Sequence, residues 1–208
     1  MRKKLRAHGA ALSRRSLLMA APGLLIAPRA SRAQGNDPGW PPVFEAGRSQ
    51  FTLVRPRAAM APLRLEDLHG KDVVVTAKPG RISLVNFWAT WCAACRLDLP
   101  VLASLAGSQH NQLDVVAICT DTKDLQKIRT FLNGLAVQNL ACYADAYGTA
   151  AASSTSAFTL TGMPITYLVG TGSRIEGYIT GAAEWSSPAG ARLLQFYREQ
   201  AEVKQRER

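Results

Sequence analysis

Two cysteines separated by two residues, Cys92 and Cys95, constrain this chain more than any other feature of its sequence. The pair closely follows a near-continuous apolar run at residues 82–88, which is typical of a strand buried on both faces. Apolar residues then recur at helical spacing over residues 93–106, a stretch that Pro100 is expected to kink. The sequence therefore predicts that the two cysteines lie where a buried strand passes into a helix.

This predicted position has chemical consequences for both thiols. Helix residues three apart are neighbours, so the sulfurs of Cys92 and Cys95 can approach bonding distance. The first cysteine lies at the helix N-terminus, where unpaired N–H groups and the helix dipole favour a thiolate. We predict that Cys92 is an attacking thiol and Cys95 a resolving thiol in disulfide exchange. The reaction is reversible, so this pattern does not set its direction.

Other uses of a C-x-x-C motif fit less well. A zinc site needs two more ligands, but Cys119 and Cys142 lie on separate predicted elements and His69 and His110 in predicted turns. A c-type haem site needs histidine directly after the second cysteine, where Arg96 stands. We expect no metal and no cofactor, and a purely structural disulfide stays open as an alternative.

Cys119 and Cys142 have three open interpretations. Cys119 ends one predicted buried strand and Cys142 lies in the next, so parallel neighbours would bring them together as a structural disulfide. Both could instead be buried free thiols that pack as small hydrophobic groups. A second redox relay is the third interpretation, because strand ends converge near the active site in such sheets.

The first 33 residues have the composition of an export signal. They hold eight basic residues and no acidic one, followed by an apolar stretch over residues 17–27. That stretch is short of the about 20 residues needed to span a bilayer, and the small residues Ser31 and Ala33 fit a cleavage site after residue 33. The Arg14-Arg15 pair is typical of a twin-arginine signal, with a general secretory signal as the alternative.

Export places the protein in the periplasm or another extracytoplasmic, oxidising compartment. No cysteine directly follows the apolar stretch, so a lipoprotein anchor is not expected. No other apolar run approaches the length of a membrane span, so we expect no stable membrane anchor. Without residues 1–33 the chain has 17 basic and 15 acidic residues, which argues against nucleic-acid binding.

The rest of the chain is divided by composition. Residues 34–62, rich in Gly, Pro and Arg, are expected to form an irregular lead-in with one short strand at residues 51–54. Residues 63–200 alternate strand and helix patterns, which predicts an α/β domain with a partly parallel sheet, and residues 201–208 form a charged tail. Further predicted elements are a hairpin at 63–65 and 73–76, a strand at 115–119, a helix at 124–135 capped by Asp121-Thr122, a strand at 140–143, a helix at 147–158, a hairpin at 165–169 and 175–180, and a helix at 188–197.

Residues 85–96 resemble the active site of the thioredoxin superfamily, in the TlpA/ResA-like branch of exported thiol–disulfide oxidoreductases. Gly70-Lys71, residues 97–100 and residues 162–169 resemble further segments of that branch, in the same order. The resemblance implies a thioredoxin-like fold, with a central mixed sheet flanked by helices, an N-terminal hairpin, and an extra helix and strand at residues 124–135 and 140–143.

The resemblance also implies roles for individual residues. Pro164 would be a cis-proline facing the cysteine pair, and Met163 and Trp91 would help to position a substrate segment near Cys92. Asp98 matches the acidic position of the branch and would accept the proton of Cys95 if it is buried, with a solvated helix charge as the alternative. Asn86 departs from thioredoxin itself, which has a buried acid at this place, and an amide cannot accept that proton.

By the same resemblance, the protein would reduce protein disulfides during the maturation of cytochrome c or of copper sites. Its partners would then be apocytochrome c or copper-site proteins, and a membrane electron donor would recharge it. A non-catalytic module that binds copper(I) or a partner protein through Cys92 and Cys95 is the alternative, although no suitable nearby histidine is evident. A peroxidase is disfavoured, because peroxidatic sites use one cysteine in a different loop motif.

Overall fold

The structure is a computed structural model that describes residues 40–46, 49–109, 113–150 and 157–206. The predicted export signal at residues 1–33, His110 and the middle of the helix predicted at 147–158 lie outside the described residues. Within the described part of the chain, no helix combines the length and hydropathy needed to cross a membrane.

The described residues form a mixed sheet and three helices. The elements, in chain order, are β1 (Glu45–Ala46), β2 (Ser49–Gln50), β3 (Thr52–Leu53), β4 (Leu63–Asp67), β5 (Asp72–Val75), β6 (Ile82–Trp88), α1 (Ala93–Gln109), β7 (Leu113–Cys119), α2 (Leu125–Gly134), β8 (Ala141–Ala144), β9 (Ile165–Val169), β10 (Ile175–Thr180) and α3 (Pro188–Arg206). Eight strands pair in the order β3-β10-β9-β6-β7-β8-β4-β5, and β1 and β2 form a separate pair.

Strand β6 lies at the centre of the sheet, and all its residues are buried. It runs parallel to β7 and antiparallel to β9. Leu84 and Trp88 join a hydrophobic cluster to which all three helices contribute, whereas Val85 and Phe87 join a cluster on the other face. Because alternate side chains enter different clusters, this strand is apolar apart from Ser83 and Asn86.

The sheet topology confirms the predicted α/β class, the N-terminal hairpin of β4 and β5, and the extra helix and strand, α2 and β8. The lead-in is more ordered than expected. Its strand β3 pairs with β10, and Phe44 is buried with its ring centroid 5.0 Å from that of Trp185. An aromatic contact so far apart in sequence leaves no local pattern, which is why composition alone indicated an irregular segment.

Three further expectations about helices were wrong. The cap of α2 is Asp124, whose side chain accepts the N–H groups of Gln126 and Lys127, and not Asp121-Thr122. Residues 147–150 form a turn instead of the start of a helix. Helix α3 continues to Arg206, through most of the predicted tail, because its polar composition suits a solvated helix as well as a coil.

The topology gathers several loops at one edge of the sheet. Trp88 and Cys119, the last residues of β6 and β7, are paired across the parallel strands. Strand β9 begins at the same edge, because Ile165 pairs with Phe87 in the antiparallel register. Helix α1 also starts here, with four residues between the end of β6 and its first residue, so the cysteine pair lies at this edge.

Candidate active site

Cys92 and Cys95 are joined as a disulfide across the start of α1, with their Cα atoms 5.3 Å apart. Cys92 directly precedes the first helical residue, Ala93. The exposed fraction of Cys92 is 4%, while that of Cys95 is 0%. Of the two cysteines, only the first therefore keeps any exposed surface, as expected for an attacking thiol with an enclosed second thiol.

The backbone at the helix start is directed at the first sulfur. The N–H of Cys95 donates to Cys92 Sγ over 3.1 Å. When the disulfide is reduced, the same donor faces a sulfur that can carry negative charge. An amide N–H at a helix N-terminus stabilises such a charge and lowers the pKa of a thiol there.

The segment before β9 lies beside the cysteine loop. The Met163–Pro164 peptide bond is cis, as the resemblance implied. Since Ile165 pairs with Phe87, Pro164 lies next to the end of β6, from which the chain continues to Cys92. Met163 is half-buried and contacts both hydrophobic clusters. Of the three residues expected to position a substrate, two thus lie at this edge, directly before β9.

Trp91, the third of these residues, extends into solvent with an exposed fraction of 72%. It lines an open groove of about 680 Å³ together with Thr90, Arg96 and residues of α2. The Arg96 guanidinium lies 4.7 Å from the ring centroid of Phe131 in α2, which forms one side of this groove. An exposed aromatic ring next to the more accessible cysteine is a suitable contact for a protein partner.

Asp98 is buried one helical turn after Cys95, with an exposed fraction of 1%. Its carboxylate accepts the Asn86 amide over 2.9 Å and the backbone N–H of Ala183 over 3.0 Å. The amide of Asn86 also donates to Thr166 Oγ1 over 2.9 Å. The departure from thioredoxin at Asn86 is thereby explained, because the amide holds an acid that α1 supplies.

Burial raises the pKa of the Asp98 carboxyl to about 7, and the nearby charge of Glu184 acts in the same direction. The hydrogen bonds from Ala183 and Asn86 oppose this shift. A carboxyl group with a pKa near neutrality changes its protonation state in the range where thiols exchange protons. Asp98 therefore has the properties of a proton acceptor, and a solvated helix charge is excluded.

Comparison with known proteins agrees with this arrangement. Residues 56–176, more than half of the chain, match the model of the AhpC/TSA family. The chain belongs to the AhpC/TSA family. It is 34% identical over 93 residues to the thiol:disulfide interchange protein HelX of Rhodobacter capsulatus, covering 44% of this chain and 46% of HelX. It is 41% identical over 56 residues to a thioredoxin of Mycolicibacterium smegmatis, covering 27% of this chain and 47% of that protein.

These sequence matches span less than half the length of either relative. Solved structures extend the comparison to the fold. A DsbF homologue from Corynebacterium diphtheriae superposes with a TM-score of 0.55 at 18% identity, covering 68% of this chain and 89% of that chain. StoA from Bacillus subtilis superposes with a TM-score of 0.50 at 19% identity, covering 62% of this chain and 99% of StoA. The fold of this AhpC/TSA family member is thioredoxin-like.

Sequence reasoning missed a second carboxylate at this site of the AhpC/TSA family member. Asp121 accepts both the backbone N–H and the hydroxyl of Thr90, which lies two residues before Cys92. Both residues follow the ends of parallel neighbouring strands, which meet at one edge. That signal was present in the sequence, but Asp121 was interpreted as a helix cap.

The other two cysteines are free and buried, so the disulfide considered between Cys119 and Cys142 is not formed. In the register of β7 and β8, Ala117 faces Cys142 and Cys119 faces Ala144. Strand spacing and rise place positions two residues out of register about 8 Å apart, beyond the reach of a disulfide. Of the three interpretations, the structure has buried free thiols.

These free thiols are expected to be unreactive in the folded protein. Burial raises the pKa of both Cys119 and Cys142 to about 12, and for Cys119 the hydrogen bond to Asp121 adds to the effect. Alkylation at pH 8 after mild reduction should therefore modify Cys92 first and leave these two unmodified. Unfolding without reductant should release two reactive thiols, as counted by intact mass. Rapid native labelling of Cys119 would contradict this prediction.

Within the described residues, no group of three or more His, Cys, Asp or Glu side chains is placed to hold a metal ion. The cysteine pair contributes only two sulfur ligands. The site contains the cysteine pair and, three residues further along α1, the buried carboxyl group of Asp98.

Proposed function

We propose that this protein is a thiol–disulfide oxidoreductase of the thioredoxin type, in which Cys92 attacks and Cys95 resolves. One observation carries the proposal: the more accessible sulfur lies at the start of α1 and accepts the N–H of Cys95 over 3.1 Å. Membership of the AhpC/TSA family and the similarity to a protein named as a thiol:disulfide interchange protein support it.

The exchange proceeds in two steps that balance in electrons and protons. The Cys92 thiolate attacks one sulfur of a partner disulfide, the partner S–S bond breaks, and the other partner sulfur leaves as a thiolate that takes up a proton. The Cys95 thiol loses its proton and attacks Cys92 Sγ, which releases the first partner sulfur as a second thiolate that is protonated in turn. The partner gains two electrons and becomes a dithiol, while the Cys92–Cys95 disulfide is formed.

Asp98 accepts the proton of Cys95 in the second step. It lies three residues after Cys95 in α1, and its raised pKa, about 7, is close to neutral pH. Asn86 and the N–H of Ala183 hold its carboxylate. A base inside the protein is needed at this step, because Cys95 is fully buried.

The partner is held in an extended form at the sheet edge. Met163 and Pro164 precede β9, whose first residue pairs with Phe87 near the end of β6. Their backbone pairs with an extended segment of the partner. Trp91 contacts the same partner with its exposed ring. These contacts provide orientation near the reacting sulfurs and require no fixed side-chain sequence in the partner.

The physiological role we propose is that of an extracytoplasmic reductant. Residues 1–33 act as a cleaved export signal, residues 34–62 as a lead-in, residues 63–200 as the thioredoxin-like domain and residues 201–208 as a charged tail. Its partners are apocytochrome c or copper-site proteins with oxidised cysteine pairs. A membrane electron donor returns Cys92 and Cys95 to the dithiol form, since each turnover consumes two electrons.

The test is equilibration of the cysteine pair with glutathione buffers, together with an insulin reduction assay. A reductant is expected to show insulin reduction and a reduction potential near about −270 mV, whereas a value near about −120 mV indicates an oxidant. Retention of one copper(I) per chain without any insulin reduction would contradict the proposal and favour the copper-binding alternative. Reduction of hydrogen peroxide by Cys92 without disulfide exchange would favour a peroxidase.

A further inference from the structure

The loop between β6 and α1 is held by a carboxylate that is not part of the exchange chemistry. Thr90, two residues before Cys92, donates its backbone N–H to Asp121 Oδ1 over 2.9 Å and its hydroxyl to Asp121 Oδ2 over 2.6 Å. One carboxylate therefore fixes both the backbone and the side chain of the same loop residue. Two such charge-assisted bonds define its orientation as well as its position.

Asp121 is itself held in place from other directions. The thiol of Cys119, at the end of β7, donates to Asp121 Oδ1 over 3.1 Å. Lys127 Nζ, from α2, lies 3.8 Å from Asp121 Oδ2. The exposed fraction of the Asp121 side chain is only 12%. The carboxylate thus links the loop between β6 and α1 to the end of β7 and to α2.

The charge state of Asp121 suits this role. Burial disfavours the carboxylate, but the hydrogen bonds from Thr90 and Cys119 and the charge of Lys127 outweigh burial, and its pKa is lowered. It is ionised at neutral pH and accepts hydrogen bonds only.

The backbone pairing of β6 and β7 ends just before the loop that contains Thr90. Its last hydrogen bond is donated by the Thr120 N–H to Trp88 O over 3.0 Å. Beyond this bond, the contact of Thr90 with Asp121 continues the connection between the two chain segments.

We propose that Asp121 is a positioning residue of the exchange site: through Thr90 it sets the path of the loop, so that Cys92 Sγ stays aligned with the N–H of Cys95. The importance of this alignment for turnover rests on the proposed function. The effect on Cys92 itself does not, because thiolate formation needs only the amide donor. The buried thiol of Cys119 has a place in this arrangement as a hydrogen-bond donor to Asp121, and not as a redox group.

The experiment measures the rate of Cys92 alkylation in the reduced full chain against pH, alongside insulin reduction and thermal unfolding. Asp121→Ala removes the acceptor, whereas Asp121→Asn retains one oxygen for the Thr90 N–H. Thr90→Val removes the hydroxyl contact with Asp121 and keeps the backbone N–H contact. This variant still tests the proposal if Asp121→Ala does not fold. Asp145→Ala is the matched control, since Asp145 follows β8 and accepts the N–H groups of Thr149 and Ala150 in its own loop.

We expect Asp121→Ala to slow Cys92 alkylation at pH 7 by about tenfold and to move its pH profile upward, because small displacements at a reacting centre have effects of this size or more. Asp121→Asn should restore most of the rate, Thr90→Val should be intermediate, and Asp145→Ala should leave the profile unchanged. The unfolding measurements separate a loss of stability from a change in the thiol.

Two results would overturn the inference. If Asp121→Ala and Asp145→Ala are both folded and both keep the wild-type profile, the carboxylate does not position the loop. If Cys92 alkylation is as slow in Asp121→Asn as in Asp121→Ala, the negative charge of Asp121 affects the thiol and its hydrogen bonds to Thr90 do not. A third result concerns the proposed function alone: a wild-type protein that does not exchange disulfides, but whose Cys92 profile still responds to Asp121, supports the positioning and rejects the oxidoreductase.

Discussion

Cys95→Ser is expected to trap the protein in a covalent mixed disulfide with its partner, while Cys92→Ser abolishes exchange. Cys92 is the more accessible thiol and is stabilised as a thiolate at the helix start, so it forms the bond to the partner. Without Cys95 nothing adjacent displaces that partner. Loss of a covalent nucleophile lowers turnover by more than about a thousandfold, the scale seen in other covalent enzymes. Insulin turnover and intact mass after incubation with an oxidised peptide measure the two effects.

Cys142→Ala is the matched control for these substitutions. Cys142 is also a buried cysteine, but it is free and lies in β8 away from the pair in sequence. Its replacement should leave insulin turnover in place, with at most a loss of stability. The assignment of roles would be reversed if Cys92→Ser accumulated the mixed disulfide and Cys95→Ser did not.

Asp98→Asn is expected to slow the release of the mixed disulfide by about 100-fold, at the lower end of the range for general acid–base catalysis. In the wild-type protein this release should accelerate as pH rises through about 7, where the buried carboxyl ionises. An amide has no such ionisation, so the variant should lose that inflection. Stopped-flow measurement of mixed-disulfide decay from pH 5 to 9 gives both results.

The same carboxyl makes folding stability depend on pH, with a sign that follows from its raised pKa. The folded state keeps the Asp98 proton up to about pH 7, whereas the unfolded state loses it near the ordinary value of 3.8. The contribution is fully present below pH 3.8 and is lost as pH rises through 7. The shift corresponds to roughly 4 kcal/mol, at about 1.36 kcal/mol per pKa unit.

Denaturant unfolding at pH 5 and pH 8 spans about two of these pKa units, roughly 3 kcal/mol, and is compared between the wild-type protein and Asp98→Asn. The variant should lack the wild-type decrease in unfolding free energy between these two values. Glu184→Gln offers a second check, since Glu184 raises the pKa of Asp98 by its charge. Its removal should move the kinetic inflection to lower pH. Unchanged inflections in both variants would mean that another group titrates at the site.

The position of the cysteine pair at a strand–helix junction was predicted without tertiary information. A buried apolar strand at residues 82–88 and helical spacing after it are local patterns, and together they placed Cys92 and Cys95 at a strand–helix junction. The hairpins of β4–β5 and β9–β10 were likewise predicted from turn residues between apolar runs. The sheet class followed from the alternation of these local elements.

The surroundings of the pair were decided by contacts between residues far apart in the chain. Asp98 is a buried, hydrogen-bonded carboxyl group and not a surface charge, and one of its donors is the backbone N–H of Ala183, 85 positions later. Thr90 and Asp121 meet because β6 and β7 are parallel neighbours, a pairing that no single segment specifies. A register offset of two residues between Cys119 and Cys142 keeps both thiols free.

Periodicity in the sequence thus determined that Cys92 and Cys95 lie at the start of a helix, because helix and strand patterns are properties of neighbouring residues. Strand register and burial determined the surroundings of the Asp98 and Asp121 carboxyl groups and kept Cys119 and Cys142 as free thiols. These properties depend on which strands pair and on what covers a side chain from outside its own element, and only the folded chain brings those groups within hydrogen-bond distance.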